Sequence, residues 1–151
     1  MDNELKELYQ EIILDHNKYP KNYGKPDEYN HDSEGYNPLC GDRVHVYVEE
    51  EDGLIKDVHF EGSGCAISKA SASVMTTLLK GKSVTEAREM FDEFQKLITS
   101  DVDAEPNLEK IGKLAVFAGV REFPTRVKCA SLVWHTVMAA MRDKEEVVST
   151  E

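Results

Sequence analysis

Cys40-Gly41-Asp42, Gly64-Cys65 and Lys128-Cys129 hold the three cysteines of the chain, and they are its most chemically distinctive residues. With Asp42 they make three thiols and one carboxylate, the number and kind of donors that a tetrahedral zinc site or an iron-sulfur cluster takes. Free cysteine often serves as a small buried hydrophobe, but Cys40 and Cys65 stand beside glycines and not inside apolar runs. An oxygen ligand is harder than sulfur, so a carboxylate among thiolates exchanges more easily. Such a set around a divalent cation leaves about two net negative charges, which Arg43, Arg126 and Lys128 could offset. None of the five histidines is placed by spacing beside the cysteines.

These groups are far apart in the chain, so secondary structure must gather them. Val44, Val46 and Val48 alternate with Arg43, His45 and Tyr47, the period of a half-buried strand. Glu49 to Gly53 reads as an exposed turn, and a second strand follows with Leu54, Val58 and Phe60 on one side. The start of the first strand and the end of the second lie at the same end of such a hairpin, which brings Cys40, Asp42 and Cys65 together. Ile67, Ala70, Val74 and Leu78 then recur at helical spacing up to Gly81, so Cys65 stands at a helix N-terminus. After Pro124 a last helix begins near Thr125 with Ala130, Val133, Val137, Ala140 and Met141 along its stripe, placing Arg126 and Cys129 in its first turn. Free amides and the helix dipole favour a thiolate at both helix starts.

The remaining elements frame this site. Leu5, Leu8, Tyr9, Ile12 and Ile13 predict a leading helix capped by Asp2 or Asn3 and closed by Pro20. Residues 21–37 show no clear period and read as loop with a short strand at most. Ser83 and Glu86 form a capping box before Ala87, Met90, Phe91, Phe94, Leu97 and Ile98. A polar break at 101–107 precedes a helix through Leu108, Ile111, Leu114 and Ala115 that should stop near Gly119. The expected architecture is one α+β domain over 1–151, a small antiparallel sheet of about three strands packed against several helices.

A chain of 151 residues, 40% hydrophobic and 31% charged, should bury roughly 68–70% of its unfolded surface and fold without a metal. A metal here is then kept for chemistry more than for folding. The net charge of −11 argues against nucleic acid and anionic membranes as partners, since both call for clustered Lys and Arg. No apolar run reaches a membrane span, and Met1-Asp2-Asn3-Glu4 lacks signal-peptide character, so a cytoplasmic protein is expected. In that reducing compartment the cysteines serve as thiols or metal ligands rather than as a disulfide.

Gly35-Tyr36-Asn37-Pro38-Leu39-Cys40-Gly41-Asp42, Phe60-Glu61-Gly62-Ser63-Gly64-Cys65-Ala66-Ile67-Ser68 and Pro124-Thr125-Arg126-Val127-Lys128-Cys129 together resemble the IscU or NifU-like family of iron-sulfur cluster assembly proteins. The resemblance runs from the leading helix to the last. It points to the SufU branch. Scaffold members carry a histidine before the final cysteine and a Leu-Pro-Pro-Val-Lys loop, where this chain has Lys128 and Phe123-Pro124-Thr125-Arg126. The segment of roughly Gln95 to Ala118 also resembles the longer interval of SufU proteins.

The resemblance implies zinc held by Cys40, Asp42, Cys65 and Cys129, and a sulfurtransferase-type sulfur carrier. It would act with a pyridoxal-phosphate-dependent, SufS-like cysteine desulfurase and pass sulfur to downstream iron-sulfur assembly proteins. A histidine of the desulfurase would replace Cys40 on zinc, and the freed Cys40 would take the persulfide sulfur, with Arg126 steadying the displaced thiolate or Asp42. Two alternatives stand beside this. One is a scaffold on which the same four ligands transiently hold a [2Fe-2S] cluster, the other a binding module whose zinc only stiffens the loops.

Overall fold

The sheet of the computed structural model is an antiparallel meander of β1 (His31–Asn37), β2 (Asp42–Glu51) and β3 (Leu54–Ser63). The structure describes residues 3–101, 108–142 and 148–149. Asp52 and Gly53 take φ of 53° and 80°, the positive values that a two-residue hairpin turn between twisted strands requires. The turn is thus shorter than the expected Glu49–Gly53 segment, because Glu49 to Glu51 remain in β2. A register shift between Glu49 and Glu50 changes the phase of the pairing. In consequence Ile55 is buried and Leu54, expected inside, is 49% exposed.

β1 is the main departure from expectation, for 31–37 forms a full strand paired along its whole length with β2. Its inner positions are Ser33, Gly35 and Asn37, small or polar residues that give no hydrophobic period to read. Gly35 is required by the packing, since a Cβ there would fall on the Oγ1 of Thr136.

The helices are α1 (Asn3–Lys18), α2 (Ala66–Leu79), α3 (Val84–Thr99), the single turn α4 (Leu108–Ile111) and α5 (Pro124–Met141). α5 packs on β1 and β2, α2 on β3 and α5, and α1 on α2, so the inner faces of Val44, Val46, Val48, Val58 and Phe60 are covered. The expected capping box of Ser83 and Glu86 opens α3. The helix expected through Leu114 and Ala115 instead breaks at Gly112, whose φ is +49°, and continues as a 3₁₀ stretch to Glu122. That stretch buries Leu114, Val116 and Phe117. On α1 only Ile13 of the predicted stripe is buried, and Leu8 is 50% exposed. A two-residue strand, β4 (Val148–Ser149), pairs parallel with β1 beside Gly35 and Tyr36. Asp2 and the polar break at 102–107 lie outside the described residues. Among the described residues no helix is long and apolar enough to cross a membrane.

Candidate metal centre

Asp42 opens β2 and Cys65 follows the end of β3, so the hairpin delivers both to one end of the sheet, as the strand pattern predicts. Asp42 is fully buried, and its Oδ1 accepts the Cys65 N–H at 2.9 Å. This approach needs glycine at 64, because a Cβ there would fall on Asp42 Oδ1. Cys65 is the N-cap of α2, its Sγ accepting the Ser68 N–H at 3.4 Å where a serine or aspartate oxygen would usually stand. Its Sγ lies 3.9 Å from Asp42 Oδ2.

Cys129 comes from α5, but not from the first turn that the sequence suggests. Pro124 occupies the first helical position, so Cys129 falls one turn further in, 2% exposed. Its burial is matched by a partner: Asn37 Nδ2 donates to Cys129 Sγ at 3.8 Å. Asn37 also holds the next loop, its carbonyl accepting the Gly41 N–H at 2.8 Å and its Oδ1 the Leu39 N–H at 3.1 Å. That loop carries Cys40, the exposed cysteine of the three, beside Gly41 at φ +72°. Cys40 Sγ and Cys129 Sγ are 3.3 Å apart. Donor atoms of Cys40, Asp42 and Cys129 all lie within 4.8 Å of one another.

The electrostatics of the cluster are those of crowded acidic donors. Burial, then hydrogen bonds to Asp42 and Cys40 and the nearby Cys65, push the Cys129 thiol well above its ordinary range. A divalent ion reverses this, because thiolate and carboxylate then become ligands. The spacing suits one. With zinc–sulfur bonds of about 2.3 Å, tetrahedral ligands stand about 3.7 Å apart. The observed 3.3 Å between sulfurs and 3.9 Å from sulfur to carboxylate oxygen bracket that value.

The structure gathers Cys40, Asp42 and Cys129, with Cys65 against Asp42, but it does not pair Arg126 with them. The Arg126 guanidinium lies over the Phe123 ring, 4.5 Å from its centroid, and among the described residues no ion pair joins it to Asp42. Arg43 likewise stacks on Tyr36 at 4.5 Å. The histidines are spent elsewhere: His16 on Ser73, His31 on Glu50, His45 on Asp32, His59 on Asp57 and His135 on Gln95.

Cys40, Cys65 and Cys129 border a cleft of about 680 Å³ whose other walls include Ile13 and Leu14 of α1, Ile67, Phe123 and Arg126. Asn37 and the α1 wall are site residues that sequence reasoning missed. The available signals were an asparagine three residues before Cys40 and apolar side chains off the core stripe, since Leu14 is 57%, Leu39 64% and Phe123 45% exposed.

Residues 8–130 match the family model described as the NifU-like N-terminal domain. The iron-sulfur cluster assembly scaffold protein IscU of Thermotoga maritima is 36% identical over 137 residues, which cover 91% of this chain and 94% of that protein. The zinc-dependent sulfurtransferase SufU of Bacillus subtilis is 35% identical over 141 residues, covering 91% and 92%. A crystal structure from Fervidobacterium islandicum, of a protein assigned as a cluster assembly scaffold for the SUF system, superposes with a TM-score of 0.79 at 37% identity and covers 87% of this chain and 94% of that one.

Proposed function

Because the chain belongs to the NifU-like N-terminal domain family, we propose that it serves iron-sulfur cluster biogenesis as a zinc-dependent acceptor of sulfane sulfur from a cysteine desulfurase. Cys40, Asp42, Cys65 and Cys129 hold the zinc. Bound there, zinc would keep its thiol ligands deprotonated at neutral pH.

The observation that carries this reading is the contrast among the thiols: Cys40 is exposed on a loop over the cleft, while Cys129 is buried and Cys65 caps a helix. Only a thiolate that can reach a partner's persulfide can attack it. Cys40 attacks the outer sulfur of the desulfurase persulfide, forming the new sulfur-sulfur bond as the enzyme's cysteine leaves as a thiolate. Leu14 and Phe123 give the cleft an exposed apolar rim that a desulfurase segment can cover. Arg126, on the same wall, draws anionic groups to the mouth and steadies the freed Cys40 thiolate. The protein works in the cytoplasm, without nucleic acid or membrane, and passes its sulfur to downstream assembly proteins.

Mass spectrometry of each cysteine after mixing with a pyridoxal-phosphate-dependent desulfurase and cysteine tests the assignment. One added sulfur is expected first on Cys40, and first arrival on Cys65 or Cys129 overturns it. The similarity to proteins named IscU scaffolds favours a second reading, in which a [2Fe-2S] cluster forms on the same ligands. Iron and sulfide that assemble on the metal-free protein and move intact to an acceptor would establish it. Desulfurase turnover indifferent to wild type and Cys40→Ala alike would leave a structural zinc module.

A further inference from the structure

The spacing that suits a shared metal also brings two thiols into contact, since the sulfur of Cys129 stands 3.3 Å from that of Cys40. That is within the roughly 3–3.5 Å separation of atoms poised to react. The direction is also set. Cys129 is 2% exposed, on the helix beneath the loop, and Asn37 fills the buried side next to it. Cys40 is exposed above it, at the mouth of the cleft. Displacement at sulfur requires attacker, inner sulfur and outer sulfur in line, and the exposure of Cys40 leaves room for an added sulfur on the side away from Cys129.

We propose that Cys129 is a resolving thiol which attacks the inner sulfur of a Cys40 persulfide and releases the outer sulfur as hydrosulfide. The inference rests on Cys40 as the sulfur acceptor. The Cys129–Cys40 sulfur bond forms as the bond between the inner and outer sulfurs breaks, and the outer sulfur takes that bond's electron pair. The proton of the Cys129 thiol ends on the departing sulfur, which leaves as hydrosulfide. The two cysteine sulfurs are together oxidised by two electrons and the sulfane sulfur is reduced to sulfide. A dithiol reductant then restores the pair.

Closing the sulfur separation to the disulfide length of about 2.0 Å falls to the Cys40 loop, where a Cβ on Gly41 would meet nothing within 4 Å. Cys65 is less well placed for this role, since the mutually close donors are Cys40, Asp42 and Cys129, while its sulfur lies 3.9 Å from Asp42 Oδ2. Zinc held by Cys129 would engage the same sulfur and block its attack. Zinc-loaded protein therefore keeps the sulfur as persulfide, and metal-free protein yields sulfide.

The test uses metal-free full-length protein and one equivalent of the chromogenic disulfide dithiobis(nitrobenzoate), which places a good leaving group on Cys40 without any desulfurase. Wild type and Cys65→Ser are expected to release a second equivalent of coloured thiolate and to give a peptide cross-linked between Cys40 and Cys129. In Cys129→Ser or Cys129→Ala the second release slows at least about a hundredfold, with the adduct retained on Cys40. One equivalent of zinc suppresses the second release in wild type. An adduct that persists on Cys40 in wild type, or a second release that depends on Cys65, overturns the proposal. A parallel incubation with desulfurase and cysteine separates the two readings. Cross-linking by the reagent with no enzymatic sulfur on Cys40 sinks the acceptor role alone, whereas enzymatic sulfur on Cys40 with a persistent adduct sinks the resolving role alone.

Discussion

Cys129 and Cys40 are 3.3 Å apart, yet they belong to two different kinds of structure. The floor of the site consists of element ends: Asp42 at the start of β2, Cys65 capping α2 and Cys129 inside α5, each with a partner that fixes it. The roof is a short loop with Cys40 at its exposed tip, tethered by two hydrogen bonds to Asn37. Three donors sit on or beside the ends of helices and strands, and the fourth on a loop held mainly by Asn37. A metal held by all four donors would meet three fixed ligands and one on a loop, which is the asymmetry an exchangeable thiolate needs.

Ligand substitutions should break this comparison most sharply. Cys129→Ser and Cys65→Ser each remove a floor donor and are expected to abolish stoichiometric zinc binding. Cys40→Ser leaves three protein ligands, the number at which water commonly completes a zinc site. It should retain zinc with affinity reduced about 10–100-fold. Elemental analysis and competition with a chromogenic chelator measure both, and a Cys40→Ser protein that holds no zinc would show that floor and roof bind as one unit.

The glycines offer the next contrast. Gly64→Ala drives a Cβ into Asp42 Oδ1, inside the floor, where backbone and buried carboxylate cannot both yield. The expected cost is about 3 kcal/mol, the upper end for overpacking. Gly41→Ala meets nothing within 4 Å and pays only for a left-handed backbone, about 1 kcal/mol. Denaturant unfolding of the metal-free proteins reads the difference, and equal losses would remove the distinction between a packed floor and an open roof.

A smaller effect appears in the pH dependence of the metal-free protein. Burial and its neighbours raise the Cys129 thiol in the folded state, so the fold keeps a proton that the unfolded chain loses above its ordinary value near pH 8.5. Stability is therefore complete below that pH and declines as pH rises beyond it, by up to about 1.4 kcal/mol per pH unit. Cys129→Ser should flatten the slope, and an unchanged slope would place the titrating group elsewhere.

The four donors and most elements that carry them were legible in the sequence, whereas β1 and the depth of Cys129 were not. Val44, Val46 and Val48 announce β2 by alternation, Ser83 and Glu86 announce α3, and Pro124 marks the start of α5, each through a local rule. β1 was hidden because its buried positions are Ser33, Gly35 and Asn37, chosen for close approach to α5 and for holding the site, not for hydrophobicity. For the same reason the role of Asn37 emerged only in three dimensions. The 3₁₀ stretch carried a helical apolar pattern, and the break at Gly112 came from a single positive φ that the pattern cannot express. The place of Cys129 one turn into α5 matters more, for it exchanges the influence of a helix terminus for burial.

Arg126 gives the finest test of how roof and floor divide the work. It lines the cleft beside the cysteines, yet its guanidinium lies on Phe123 and not on Asp42. Removing it should therefore leave zinc affinity and stability unchanged while slowing desulfurase-dependent sulfur uptake by about threefold to tenfold, as loss of a rim charge slows association. On a chain of net charge −11 an isolated cation at the mouth of the cleft stands out to an anionic approach surface. Salt distinguishes its two roles. If Arg126 steers the partner, Arg126→Ala and wild type converge as ionic strength rises and the Debye length shortens below about 8 Å. If it steadies the displaced Cys40 thiolate in a covered cleft, the defect persists at high salt, and Arg126→Lys repairs it only in part because a point charge replaces a planar donor fork.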